Sequence, residues 1–430
     1  MQALQKWGTL ILRITDKIFY GWVIVASSLI IASTFFGVRL SFGVFFKSIQ
    51  NEFDLSRATT SSVLSAYMLF CTVFTILSGW ALDRYGPRLV VSIMGLFTGL
   101  SLLITGQINS LWQIFLSYSL LLAIGTGGNV PVIIAAVSKW FDKKRGLAVG
   151  IVSSGAGLGT LFMAPLAAYL ISSLGWRMAY VVMGLLIWLV VISLAMLLRR
   201  DPKAIGLLPD GIKLNNSTVE LKNKEKDYQL TGFSLRQALR TRSFWIMFFV
   251  YLLFAFCLTM ILTHVVPYAT DVGISPIEAA TIISVIGGFQ ILSRVLIGRT
   301  SDLIGRKTPG IICAILGCSA LIWLTQSQSL LMLYLFALAF GLAWGGTGVV
   351  MLTLAGDIFG SRSLGAIIGA LEIGFSVGGA IGPALGGFIF DVTSSYAIAF
   401  SIGAVAMLMI ALLIALTRHE TVKGATQGGI

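Results

Sequence analysis

Long apolar runs recur along the whole chain, parted by short polar or charged connections. Twelve of them reach the roughly 18 residues that let a helix cross a ~30 Å hydrocarbon core. They are 20–46, 61–82, 88–107, 111–138, 146–172, 176–198, 242–270, 277–300, 308–326, 330–356, 364–390 and 394–417. One long polar stretch interrupts the series. Residues 199–241, from RRDPKAIGLLPDG through NNSTVELKNKEKDYQL, are rich in Lys, Glu and Asn and do not insert. They predict a cytoplasmic linker, with a surface helix near 234–241. Six spans fall on each side of it. The chain therefore divides into an N-terminal six-helix bundle (1–198), the linker (199–241), and a C-terminal six-helix bundle with a short tail (242–430).

The two halves repeat one another. Gly79-x3-Asp83-x2-Gly86 in GWALDRYGPR recurs as Gly298-x3-Asp302-x2-Gly305 in GRTSDLIGRK, a shift of 219 residues. The same shift carries Gly146 and Gly150 onto Gly365 and Gly369, and a shift of 218 carries Pro165 onto Pro383. Tight turns favour Gly and Asp in general, but several matches at one offset point to an internal duplication. Parallel repeats are a transporter architecture, with the substrate site near the midplane between the halves. The expected fold is an all-α membrane protein, twelve transmembrane helices in two pseudo-symmetric bundles.

Composition sharpens this picture. Of the 430 residues 57% are hydrophobic and 11% charged, against about 25% charged in soluble domains. The net charge of +13 would suit a nucleic-acid partner, but its placement argues otherwise. Of 30 Lys and Arg, 25 lie on the side of the N-terminus, three (Lys47, Arg57, Arg177) on the other, and two within the membrane. Positive charge collects on the cytoplasmic side, so both termini are expected there and no nucleic acid is needed. Cys71, Cys257, Cys313 and Cys318 fall within spans at spacings that suit neither a metal site nor disulfides, and read as small packing residues. The glycines of GAGLG at 155–159 lie inside a span rather than at a strand-to-helix turn, so they form no dinucleotide fingerprint. Neither a Walker sequence nor a nucleophile–base pattern stands in the sequence. No enzyme activity, cofactor or metal is expected.

The candidate chemistry sits in a few polar residues inside the spans. A charge at bilayer depth costs at least ~2.5–3.5 kcal/mol and normally faces an aqueous path. Arg39 in FFGVRLSFGVFF and Arg294 in ISVIGGFQILSRVLIG are two such cations, set against one deep acid, Glu372. Two buried positive charges point to an anion. The Arg294 guanidinium offers the planar fork that grips a carboxylate; a structural pair with Glu372 would satisfy it equally. Arg39 lies nearer a helix end, where it snorkels outward or pairs structurally. Burial favours the neutral form of Glu372 and a nearby arginine its charged form, which suits a proton carrier; a protonated Glu372 bonding to a neighbouring helix is the plainer alternative. His264, just before Pro267, titrates in a useful range for proton linkage or gating, or simply hydrogen-bonds near the outer face. Asn129, among glycines and beside Pro131, either lines the cavity or satisfies a freed backbone group. Trp344 and Phe375 offer an apolar wall for a short acid, although aromatics in spans mostly pack. Gly79, Asp83, Arg84, Arg145, Gly298, Asp302 and Arg306, at the cytoplasmic helix ends, are candidates for conformational gating.

These features resemble the major facilitator superfamily, whose cytoplasmic signature GWALDRYGPR and GRTSDLIGRK match at both expected places. Within it the chain is similar to the monocarboxylate transporters and their bacterial relatives, the oxalate:formate exchangers. WFDKKRGLAVGIVSSGAGLG at 140–159 follows that family's helix 5 pattern. Arg39 falls at its functional lysine, which implies a part in substrate entry or positioning, and Arg294 at its substrate-binding arginine. The resemblance implies movement of short monocarboxylates, often with a proton, and gives the cytoplasmic charges the role of latching the outward-facing state. Two positions depart. Gln290 stands where animal members carry an aspartate, which leaves the proton site open, and Leu371 and Glu372 stand where the oxalate exchanger carries a lysine. A negative charge there argues against a dianion. The expected function is symport of a small monocarboxylate such as lactate or pyruvate with a proton, across a cell inner membrane, by a protein that works as a monomer. The alternatives are anion exchange without net proton movement, efflux on the same fold, or a transport-dead membrane sensor.

Overall fold

A computed structural model describes residues 19–141, 144–202, 207, 209–211, 232–360 and 363–417. Among them the regular structure is helical and no strand forms. Eleven helical stretches among the described residues are long and apolar enough to span a membrane. The longest, Gly146–Ala195, contains Gly175 at φ 81°, a left-handed turn that makes it two helices. The twelve expected spans are thus α1 (Tyr20–Glu52), α2 (Arg57–Tyr85), α3 (Pro87–Thr105), α4 (Leu111–Ser138), α5 (146–174) and α6 (176–195), followed after the linker by α7 (Arg242–Asp271), α8 (Pro276–Ile304), α9 (Lys307–Leu324), α10 (Leu330–Phe359), α11 (Leu364–Thr393) and α12 (Ala397–Leu416). Ends shift by a few residues; α1 runs to Glu52 rather than stopping at 46.

Local chemistry sets many of these boundaries. Ser56, Thr241, Ser275 and Ser329 each accept a backbone N–H at the start of α2, α7, α8 and α10. The last glycine of the repeated signature has a physical reason. Gly86 and Gly305 end α2 and α8 at φ 81° and 88°, a conformation that penalises any Cβ. Proline inside a span leaves the carbonyl four residues earlier without its donor, and at two such prolines a threonine from another helix supplies one. Pro131 frees Gly127, whose oxygen accepts from the Thr75 hydroxyl at 2.5 Å; Pro383 frees Gly379, which accepts from Thr259 at 3.0 Å.

Of the linker, residues 203–206, 208 and 212–231 lie outside the described residues. Its two ends dock at related places. The Asp210 N–H donates to Trp140 O at 3.0 Å and the Phe233 N–H to Phe359 O at 2.9 Å, and positions 140 and 359 are related by the 219-residue shift. The expected surface helix is one turn, Leu235–Ala238, capped by Ser234 and Gln237.

Helices pack through small residues. In the second six, α7 lies along α11, α8 along α10 and α9 along α12; in the first, α1 lies along α5. A Cβ added at Gly378 of α11 would overlap the Leu252 carbonyl of α7. We therefore expect Gly378→Val to cost about 2–3 kcal/mol by overpacking, read as a lowered thermal midpoint of the purified protein.

Between the halves, α2 runs along α11 and α5 along α8. These seams close only at the end away from the linker. There Gly387 meets the Arg57 carbonyl and Ser61, Gly379 meets Met68, and Gly287 meets Gly157 and Thr160. At the linker end Gly79, Gly146, Gly150, Gly365 and Gly369 have nothing within 4 Å of where a Cβ would stand. The molecule opens on the side that carries the α2–α3 and α8–α9 turns.

Candidate functional site at the parting of the halves

Arg294 of α8 sits where the α5–α8 seam gives way to the open side. Its Nη1 donates to the carbonyl oxygen of Ser153, the last residue of the helical segment Arg145–Ser153. The rest of the guanidinium is uncommitted: Nε is buried without a partner, and no carboxylate lies within ion-pair distance among the described residues. The structural alternative raised from the sequence, a pair with Glu372, is not formed. Glu372 is carried by α11, which packs against α2, whereas Arg294 faces α5.

Glu372 likewise has no ion pair among the described residues. Arg39 does not snorkel. It ends the first part of α1, just before the break at Ser41, and turns inward. There Nη2 approaches Met68 Sδ at 3.1 Å, and the guanidinium lies 5.9 Å from the Tyr67 ring centroid. Beside it is a void of about 10 Å³ that reaches Thr259 and Thr263 of α7, so Arg39 stands between the halves.

Five further residues bear on this region. Asn129 is buried with Oδ1 unpartnered, and it is Thr75 that serves the carbonyl freed by Pro131. Trp344 is buried in α10. Phe375 of α11 is half-buried, its ring 6.4 Å from Phe254 of α7. Phe254, which the sequence did not single out, also faces Gly348 of α10, so aromatic surface spans α7, α10 and α11. Gln290 carries more than its departure from the family suggests. It is fully buried one helical turn from Arg294, against Gly157, and neither amide atom has a partner. An unpaired buried polar group costs about 1–3 kcal/mol, so the Gln290 amide is held beside Arg294 at an energetic cost.

The gating candidates lie at the open end. Arg306 bridges two helices of the second half, paired with Asp302 and, at 3.3 Å, with Asp357 of α10. The first half differs. Asp83 is exposed with no ion-pair partner among the described residues, and Arg84 lies over Trp80 and Tyr85 of its own helix. Gly79 and Gly298 face free or nearly free space. The Arg145 side chain lies outside the described residues.

The closed end holds a cluster that the sequence did not reveal. Arg57, at the start of α2, pairs with Asp271 of α7 at 2.7 Å, donates to the Tyr396 hydroxyl at 2.6 Å, and covers the Phe390 ring at 3.6 Å. Lys47 of α1 reaches the same Asp271 at 2.6 Å. Asp391 of α11 caps α2 from across the seam, accepting the Arg57 and Ala58 N–H groups at 2.9 and 2.8 Å. His264 joins this cluster from beneath: Nδ1 lies 3.1 Å from the Tyr396 hydroxyl and Nε2 lies 2.9 Å from Pro383 O. Helix α7 continues through Pro267 to Asp271, so His264 is fully enclosed rather than placed at a helix end.

Comparison with known proteins fixes the family. The model of the Major Facilitator Superfamily matches residues 25–290 and 265–429, nearly the whole chain. The chain belongs to the major facilitator superfamily. The transporter resembles monocarboxylate transporters in particular. It is 26% identical to monocarboxylate transporter 13 of Bos taurus over 398 residues, covering 89% of this chain and 85% of the relative. To monocarboxylate transporter 12 of Homo sapiens it is 24% identical over 420 residues, with 93% and 80% covered. Solved structures share the fold. The inward-open xylose transporter XylE from E. coli aligns with a TM-score of 0.74 at 16% identity, covering 94% of this chain and 97% of that one. A bacterial homologue of the human lysosomal transporter Spinster, inward-facing and unoccupied, gives 0.71 at 18% identity, covering 93% and 96%. The relatives are transporters and not enzymes, and this chain is a multi-pass membrane transporter.

Proposed function

We propose that this transporter moves a small organic monocarboxylate, lactate- or pyruvate-like, together with a proton by alternating access across a cell inner membrane, as a monomer. Both termini are cytoplasmic in this reading, so the open side faces the cytoplasm. One observation carries the substrate class: Arg294, at the parting of the halves, has donors to spare and no carboxylate partner among the described residues. An incoming carboxylate takes the free edge of the fork. Gln290 and Asn129 supply neutral polar atoms, and Phe375, Phe254 and Trp344 an apolar wall. Arg39 places positive charge between the halves, and Glu372 keeps a second carboxylate away, which selects a monoanion. The names of the relatives support the same class.

Glu372 is the proton carrier of this reading. The bundles 1–198 and 242–430 rock as units. Asp83, Arg84, Arg145, Asp302 and Arg306, beside Gly79 and Gly298, latch the cytoplasmic mouth when it closes. In liposomes, radiolabelled lactate should accumulate under an inward proton gradient. In Glu372→Gln that accumulation should fall to the level seen without a gradient, while lactate–lactate counterflow persists. Full gradient-driven uptake by Glu372→Gln removes Glu372 as carrier. A wild type that takes up neither lactate nor pyruvate removes the substrate class.

A second reading also has its observation. With no carboxylate on Arg294, an empty carrier resets with an uncompensated cation at its centre, which favours return with an anion bound. Wild-type counterflow without gradient-driven accumulation would select such an exchanger.

A further inference from the structure

The cluster at the closed mouth has a direction built into its hydrogen bonds. Nε2 of His264 faces the carbonyl oxygen of Pro383, which only accepts, so Nε2 carries a hydrogen. In the neutral ring Nδ1 is then an acceptor, and its partner is the Tyr396 hydroxyl. The Tyr396 oxygen in turn accepts from Arg57. The chain runs from Arg57 through Tyr396 and His264 to Pro383, each hydrogen committed once. It joins α2 of the first half to α7, α11 and the start of α12 in the second. Gly386 makes room for it, since a Cβ there would stand 2.8 Å from the imidazole Cδ2.

We propose that His264 makes this external latch proton-responsive: the neutral ring holds the mouth shut, and protonation releases it towards the outward-open state. A second hydrogen on Nδ1 points at the Tyr396 oxygen that already serves Arg57. Two cationic donors then compete for one phenol oxygen, and the phenol hydrogen loses its acceptor. The imidazolium also repels the Arg57 guanidinium, which acts on His264 electrostatically. The other groups around the ring do not restore the latch. Asp391 of α11 attracts the imidazolium but is held by the α2 N–H groups. Asp271, on α7 itself, is shared by Arg57 and Lys47 of α1, and the α1 neighbour of the ring is Phe46. Arg57 is the contact that yields. The sign follows: above the titration of the ring the latch holds, and below it the external mouth opens to the side where protons are abundant. Coupling of this kind rests on the alternating access proposed above but not on the identity of the substrate.

The test is a distance measurement on the full-length protein in lipid nanodiscs, without substrate. Spin labels at Asn51→Cys and Ile277→Cys, exposed on either half at the external mouth, are read after replacement of the four native cysteines. Lowering the pH from 7.5 to 5.5 should raise the long-distance, open population about five-fold or more, a factor set by the change in charge on one histidine. His264→Gln, with an amide that does not titrate, should abolish that response. Tyr396→Phe keeps the ring but breaks the chain, and should populate the open mouth at both pH values. A wild type without a pH response, or a His264→Gln protein that keeps it, overturns the proposal; so does a Tyr396→Phe protein that stays shut at pH 7.5 and opens at pH 5.5. If His264→Gln does not fold, the Tyr396→Phe result decides alone. Because no substrate is present, a failed lactate assay would remove the proposed substrate and leave this result standing.

Discussion

Arg294→Ala lowers carboxylate uptake by at least ~100-fold, since two charge-assisted hydrogen bonds at ~1.5 kcal/mol each amount to ~3 kcal/mol and each ~1.4 kcal/mol is a factor of ten. The variant loses the only guanidinium on the α5–α8 seam among the described residues, and with it the bond to Ser153 that ties α8 to α5. Loss of that tie alone would alter the balance between the two mouths but leave binding measurable. Arg294→Lys separates the two effects. A lysine keeps the charge without the planar fork, so it restores attraction to an anion but only part of the uptake. Initial rates and equilibrium binding of labelled lactate, measured side by side in liposomes and in detergent, read both quantities. Binding that survives in Arg294→Ala at wild-type strength would place the anion elsewhere, and Arg39 would then be the residue to test.

Arg57→Ala shifts the equilibrium between the two mouths towards the outward-open form by ~2 kcal/mol, roughly 30-fold. Breaking one side of a buried ion pair costs about 3–5 kcal/mol, and an exposed pair is worth about 0–1. Arg57 is nearly buried while Asp271 is 28% exposed, so the effect falls between these limits. The same substitution removes the stacking over Phe390 and the donor to Tyr396, whereas Lys47 still holds Asp271. The Asn51 and Ile277 label pair reads the result directly. An unchanged distance distribution would mean that the helix packing of α2 on α11, rather than the polar cluster, keeps the mouth closed.

The polar residues inside the membrane divide sharply in how visible they were. Arg39, Arg294 and Glu372 stand out in any reading of the chain, because a charge among apolar residues breaks a strong local pattern. What each one meets did not stand out. The pairing of Arg294 with Glu372 was plausible from the sequence, yet the structure gives Arg294 the Ser153 carbonyl and leaves Glu372 without an ion pair among the described residues. Gln290 attracted notice only as a departure from the family. Its unpartnered amide follows from Gly157 on another helix, and no local signal announces that.

The polar cluster at the closed mouth was the least legible feature. In the sequence Lys47 and Arg57 stand out only as cations on the sparsely charged side, and nothing singles out Asp391 or Tyr396. Their sequence neighbourhoods are those of any solvated turn. Arg57 meets Asp391 and Tyr396 across 334 and 339 residues of chain. Conversely, the bond that the sequence allowed Asn129 to make with a freed carbonyl is made by Thr75.

The sequence by itself determined that twelve helices cross a membrane, that the two halves repeat, and that a small number of charges lie at depth. All three are written locally: in apolar run length, in motifs recurring at one offset, and in the cost of burying a charge. The tertiary structure decided which side is open, which groups share the closed mouth, and how the buried charges pair. Those outcomes depend on which faces of α2 and α5 meet α11 and α8. In lipid that choice rests on close packing of small residues and on single hydrogen bonds between helices, and neither leaves a periodic trace in the chain.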